Sequence, residues 1–519
     1  MEDKRIFDAK SFWLLMAALL LMLIGAGIML VKYYFIVPDS VYLLGLGKNM
    51  VTGHGLTIND GPHFRYPPAY GFISGLLYLL IGNIETAGHI ISMLSGALAI
   101  FIVYVVTARV YNRTTGLIAA GIIAINPLWC WISSAAAAEG FYALWYATFL
   151  LIVMYLIRKP SMWMSFLLGF ICSLAYLTRA EGFLLMPLAF ITLLIAWWRG
   201  RHEFGMILTS LFVFIIGWLL LSFPYLLFLR ENLGYWSLSG KIVQNIERVS
   251  EAIFIGDYES LRDNPLTDYE SEGLLPYLVH NFPRVAERYI HFTWQALWEA
   301  ITKAGPVLLL FLYYIYLALR DGTKRGWHFL WFASPLLVYP LAHIENRYVT
   351  PTLVTLVPLL AWGLYRSLQS LKNKDRTLKV RKWLAILLVP ALLAGQIMYI
   401  LRIPEPPTEE RELAFWMRDN VEGIMDERIS ARFPYVSFYM ENEDFLYLPK
   451  ADTLDEIFDL AIEREIDYMV ISERLTAEVR PALEPLTDPD LTPAELELVH
   501  EINLPGTPEH ILLYRINRE

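Results

Sequence analysis

The chain has 519 residues, 56% of them hydrophobic and 14% aromatic, with a mean hydropathy of +0.44. This excludes a soluble globular protein, whose surface needs more charge than the 18% present here. The net charge of −9 is unevenly placed, and the two cysteines, Cys130 and Cys172, both lie inside apolar runs, which excludes a disulfide framework.

Apolar runs long enough to cross a hydrocarbon core of about 30 Å recur through the first three quarters of the chain. Membrane helices are expected near 11–36, 88–108, 115–132, 141–157, 161–177, 182–198, 205–229, 304–319, 327–341, 349–366 and 383–402. The first run is longer than a signal-peptide core and has no small-residue cleavage site, so it is read as a span. "YGFISGLLYLLIG", 70–82, is too short for an easy crossing. As a span it would turn every later basic loop outward, so it is read as re-entrant or interfacial. That leaves about 11 transmembrane helices.

Lys and Arg cluster in "EDKRIFDAK", "ARVYNR", "RGR", "RDGTKR" and "KNKDRTLKVRK", and are scarce in the connections that alternate with these. The positive-inside rule then puts the N-terminus in the cytoplasm and the region after 402 outside a plasma or inner membrane. The outer face receives a first loop at 37–87 and a large loop at 230–302, which carries "GYWSLSGK" and many aromatic residues.

At the Pro-rich "RIPEPP" the composition changes. Residues 404–519 carry 28 Asp and Glu against 10 Lys and Arg, which leaves 1–403 basic overall. The tail reads as a small α/β extracytoplasmic domain. "TLDEIFDLAIEREI" opens with a capping box, Thr453 and Glu456, and "YMVIS", "ILLYRI" and "YVSFYM" read as strands.

The ionisable residues at the outer ends of different apolar runs are the candidates for chemistry. They are Asp39 after the first span, Asp60, His63 and Arg65 in the first loop, Glu139, the pair Arg179 and Glu181, and the pair Glu345 and Arg347. Charges at membrane depth cost roughly 2.5–3.5 kcal/mol on insertion scales and usually face a cavity or a partner. Converging from several helices on one face, these favour a polar cavity opening outward. Lys241 in the large loop is a further candidate. Lys32, near the outer end of the first run, either snorkels to the interface or pairs with the site.

The ordered stretches "PDSVYLLGLGKNM", "HFRYPPAYGFISGLLYLLIG", "INPLWCWISSAAAAEGFYAL", "LTRAEG", "GYWSLSGK" and "ENRYVTPTLVTLVP" resemble the GT-C glycosyltransferases of the dolichyl-phosphate-mannose protein mannosyltransferase type, which include the lipid A aminoarabinose transferases. The resemblance implies transfer of a sugar from a polyprenyl-phosphate donor to an acceptor hydroxyl (of a protein, lipid or glycan) at the outer membrane face. It casts Asp39 as general base and Glu139 as its partner. Arg179 and Arg347 suit the leaving phosphate, Arg65 and Lys241 are further contacts, and Glu181 and Glu345 complete the substrate site.

The chain departs from that family in two places. Asp39 is followed by Ser40 rather than a second acid, and the double proline is preceded by His63-Phe64-Arg65-Tyr66, without the family's Glu-Lys pair. No cofactor is required by the sequence. His54, Asp60 and His63 have side chains suited to a divalent metal, although loop histidines at this spacing are more often bystanders. No nucleic acid is expected as a partner. The competing classes are a transporter or flippase of lipid-linked glycans, which should show repeated halves and mid-span charges, and a catalytically silent homologue.

Overall fold

The computed structural model describes residues 6–32, 36–58, 61–200, 203–256, 274–304, 306–320, 325–342, 345–369, 408–442, 445–449, 451–472, 480–503 and 510–517, with four single positions between 390 and 397. Among these, six helices are long and apolar enough to cross a membrane, and a seventh crossing is added if one bent pair is a single span. The protein is a multi-pass α-helical membrane protein with a small C-terminal sheet domain.

The chain enters through α1 (Ala9–Lys32), which Lys32 ends. Pro38 then occupies the first turn of a separate helix, α2 (Pro38–Thr52). A proline there loses no hydrogen bond, because the first-turn N–H groups have no intrahelical acceptor. The short hairpin β1 (Thr57–Ile58) and β2 (Gly61–Pro62) follows, then α3 (Ala69–Ile81). At 13 residues, α3 is about 20 Å long at 1.5 Å per residue, short of the hydrocarbon core.

Helices α2 and α3 cross with their backbones in contact. A Cβ placed on Gly47 would lie 2.0 Å from the Gly71 carbonyl oxygen, and one on Gly75 would lie 2.3 Å from that of Gly47. Only glycine permits this approach, and it fixes the start of α3 against the helix that carries Asp39.

The next helices are α4 (Ile84–Val110), α5 (Arg113–Ala124), α6 (Pro127–Ser134), α7 (Ala138–Leu156) and α8 (Met162–Thr178). Asn83, Asn112, Asn126 and Ser161 cap α4, α5, α6 and α8, each side chain accepting from a backbone N–H three residues on. The expected span 115–132 is broken. With Asn126 as cap and Pro127 in the first turn, α6 leaves α5 at 66°. A turn at Ala180–Leu184 leads to α9 (Leu185–Arg199) and then α10 (Phe204–Leu233).

The large loop holds α11 (Ile242–Gln244), α12 (Ser250–Ile255), α13 (Leu274–His280) and the long α14 (Phe282–Ala304). Arg288 of α14 is fully buried and donates to Ser250 Oγ (2.7 Å) and Tyr277 Oη (3.0 Å), tying the loop together. After α15 (Pro306–Arg320), the expected span 327–341 is only α16 (Arg325–Phe332) followed by turns containing Pro335 and Pro340. Helix α17 (Asn346–Val349) precedes α18 (Leu353–Gln369). The run expected at 383–402 lies outside the described residues.

The tail forms a five-stranded mixed sheet in the order β4-β3-β5-β7-β6. Its strands are β3 (Ile429–Ala431), β4 (Phe445–Tyr447), β5 (Tyr468–Ser472), β6 (Leu496–Asn503) and β7 (His510–Ile516). β3 runs parallel to both β4 and β5, while β7 pairs antiparallel with β5 and β6. Thr453 caps the helix Leu454–Glu463 by accepting from the Glu456 N–H. "YVSFYM" is a helix, Tyr435–Met440, rather than a strand. Pro434 precedes it, and Glu441 ends it in the left-handed conformation.

The tail docks on the membrane bundle through one shared apolar cluster. Ile36, Val41, Leu44 and Tyr70 pack with Leu413, Met417, Tyr435 and Val436. Two polar contacts flank the cluster: Tyr439 Oη donates to Glu85 Oε1 (3.1 Å), and Lys48 pairs with Glu441 (2.8 Å).

Candidate active site

Seven of the eight candidate side chains sit beside or within a helix terminus, and Arg65 lies in a loop. Asp39 lies in the first turn of α2 and Glu139 in the first turn of α7, where helix N-termini favour negative charge. Arg179 caps the end of α8, and Glu181 lies in the turn that follows. Lys241 precedes α11, and Glu345 and Arg347 flank the start of α17. Arg65 lies in the loop before α3.

The structure brings these eight residues together in three linked groups. In the first, Arg347 donates from Nη1 to Asp39 Oδ2 (3.0 Å) and from Nε to Glu345 Oε2 (2.5 Å). In the second, Arg179 donates from Nη1 to Glu139 and from Nε to Glu181. The Tyr348 ring joins these two, with the Arg179 guanidinium 5.0 Å and the Arg347 guanidinium 5.2 Å from its centroid. In the third, Lys241 and Arg65 lie over the Tyr66 ring at 4.9 and 5.5 Å. Tyr66 Oη in turn donates to Asp39 Oδ1 (2.7 Å).

The two arginines assigned to phosphate are therefore each clamped between two carboxylates. Lys241 and Arg65 make no ion pair with a described carboxylate, although both lie near Asp39. Burial alone would raise the Asp39 pKa. Lys241 and Arg347, the Tyr66 hydrogen bond and Arg65 outweigh it and hold the carboxyl well below the usual range. Burial lowers the Lys241 pKa to about 8, with Arg65, Arg347 and Arg179 acting in the same direction against Asp39.

Sequence reasoning missed the aromatic framework. Tyr42, His63 and Tyr66 stack on one another, with centroids 5.5 to 5.9 Å apart. Tyr42 Oη meets Tyr447 Oη of the tail, so the second domain touches the wall of the site. The available signals were the Tyr-Pro-Pro and Arg-Tyr pairs, in which a ring adjoins a candidate charge or a chain break.

A divalent cation fits these residues poorly. Burial, Arg65 and Lys241 keep His63 neutral, with its pKa lowered to about 3, and a metal at His63 or Asp39 would face the same cations. His54 turns instead to Thr52 (3.0 Å), and Asp60 lies outside the described residues. Among the described residues no three His, Cys, Asp or Glu gather around one point.

The membrane bundle, with its polar cluster at one end beside a docked sheet domain, has the fold of solved membrane proteins described below. Residues 65–218 match the family model for dolichyl-phosphate-mannose-protein mannosyltransferase, a stretch that includes Arg65, Glu139, Arg179 and Glu181. Two solved structures share the fold. ArnT from Cupriavidus metallidurans bound to undecaprenyl phosphate aligns at a TM-score of 0.57 and 12% identity, over 97% of each chain. The archaeal oligosaccharyltransferase AglB from Archaeoglobus fulgidus, in complex with an inhibitory peptide and a dolichol-phosphate, aligns at 0.56 and 15%, over 90% of this chain and 70% of that one. No curated protein sequence matches the chain.

Proposed function

We propose that the protein transfers a sugar from a polyprenyl-phosphate donor to an acceptor hydroxyl on the extracytoplasmic face, with inversion. The observation that carries this reading is the approach of two cations, Lys241 and Arg65, to Asp39, while neither forms an ion pair with a carboxylate among the described residues. Lys241 and Arg65 supply charge for the phosphodiester and for the monoester it becomes, and the Arg347 fork lies beside them. Asp39 takes the proton of the attacking hydroxyl.

In the free site Asp39 is a weak base, because its charge is neutralised by neighbours. A donor phosphate draws Lys241, Arg65 and Arg347 toward its own oxygens and so raises the basicity of Asp39 once the site is loaded. Tyr66 keeps the carboxylate oriented. Glu139 and Glu181 hold Arg179, and through Tyr348 the position of Arg347. In this reading cationic side chains, rather than a metal, neutralise the leaving group. The structures of ArnT bound to undecaprenyl phosphate and of AglB in complex with a dolichol-phosphate support this donor class.

The test is Asp39→Asn in the full chain reconstituted with a panel of polyprenyl-phosphate sugars. Donor affinity should persist while turnover falls about 10²–10⁴-fold, the usual worth of a general base. Near-normal turnover would remove Asp39 from that role and pass it to Glu139.

A further inference from the structure

Where the tail meets α2 and the start of α4, a crevice of about 510 Å³ opens to solvent, a size that holds a short oligosaccharide and falls far short of a polyprenyl chain. One wall is α2, from Val41 to Asn49, and the other is formed by the tail helices Glu409–Asn420 and Tyr435–Met440. We propose that this crevice binds a carbohydrate segment of the acceptor and leads its hydroxyl to Asp39. This inference rests on the transferase reading above.

Three observations carry it. Tyr42 lines the crevice, lies one helical turn from Asp39, and stacks on Tyr66, which holds the Asp39 carboxylate; the crevice therefore adjoins the reacting centre. Three further rings at the crevice, Phe415, Phe438 and Tyr439, form an aromatic group, with the Tyr439 centroid 6.1 Å from that of Phe415 and 5.4 Å from that of Phe438. Such flat faces suit the C–H faces of sugar rings. Finally, the crevice contains a buried acid, Glu85, only 6% exposed, whose Oε1 accepts from Tyr439 Oη, while Arg418 stands on the exposed rim 5.2 Å from the Phe415 centroid. A carboxylate and a guanidinium across an aromatic floor can accept from and donate to vicinal hydroxyls. Because one wall belongs to each domain, only the docked tail completes the crevice.

The experiment measures binding of mannotriose, maltotriose and chitotriose to the full chain in lipid nanodiscs, with dolichyl phosphate titrated separately. At least one trisaccharide should bind wild type, and Phe415→Ala and Phe438→Ala should each weaken it about tenfold or more while leaving dolichyl phosphate affinity unchanged. If Phe415→Ala lowers the melting temperature, Arg418→Glu on the rim carries the same test. The proposal is overturned if no trisaccharide binds, if the variants bind as wild type does, if they lose dolichyl phosphate instead, or if a Ser/Thr peptide occupies the crevice and the sugars do not compete with it. Trisaccharide binding that survives while Lys241→Ala and Arg65→Ala leave dolichyl phosphate affinity intact would sink the donor assignment and leave the crevice standing.

Discussion

Lys241 carries the most consequential single charge in the site. Its pKa near 8 is below that of a free lysine, so it loses its proton as pH rises through 8. A phosphate monoester already carries its second charge above pH ~6. Affinity for dolichyl phosphate should therefore fall between pH 7 and 9 in wild type and stay flat in Lys241→Arg, as titration at four or five pH values would show. Glu139 has a different duty. It is buried against Arg179, so Glu139→Leu leaves that guanidinium with Glu181 as its one carboxylate, at a stability cost of about 3–5 kcal/mol for a broken buried pair. Thermal unfolding should show the loss, and Glu139→Gln should show less of it because an amide still accepts one hydrogen bond. Glu139 was legible in the sequence because it stands alone at the end of an apolar run. Tyr66 and Tyr348 were not, because 14% of the chain is aromatic and a ring has no charge to betray its partner.

At the level of elements, the legible features were those with long periodicity or explicit caps. α4, α7, α10 and the capped tail helix fall close to where apolar runs and the Thr453 signal place them. Three elements escaped for local reasons. The stretch from 37 reads as part of a loop, but Pro38, a proline in a first turn, starts a new helix there. Six residues of "YVSFYM" are too few for periodicity to separate strand from helix. α14 mixes Arg284, Glu287 and Arg288 with Trp294 and Trp298, so its average hydropathy conceals a two-faced helix. The contact between α2 and α3 makes a sharp prediction. Gly71→Ala forces a methyl within 2.3 Å of the Leu43 carbonyl oxygen, so the helices must part and Asp39 must shift relative to Tyr66. A stability loss of about 1–3 kcal/mol is expected from overpacking, with turnover falling further than donor affinity. Gly45→Ala on the same helix meets nothing within 4 Å and is the control.

For the whole molecule, the shift in charge composition marks the start of the tail in the sequence, whereas the docking of the tail was not legible, because it depends on which apolar faces meet. Leu413, Met417 and Val436 cover the face of α2 formed by Val41 and Leu44. A chain stopped after residue 403 should insert into membranes yet lose trisaccharide binding and turnover, measured on the same preparation.

The docking also has a consequence in time. Tyr42 and Tyr447 touch but stand 405 positions apart in the chain. At about 5–20 residues per second, a ribosome needs roughly 20–80 s to supply the second after the first. Throughout that interval α2 has been made and its apolar face waits uncovered. The protein is thus assembled from its two ends, and a nascent chain lacks a finished crevice until its last domain has been made and docked.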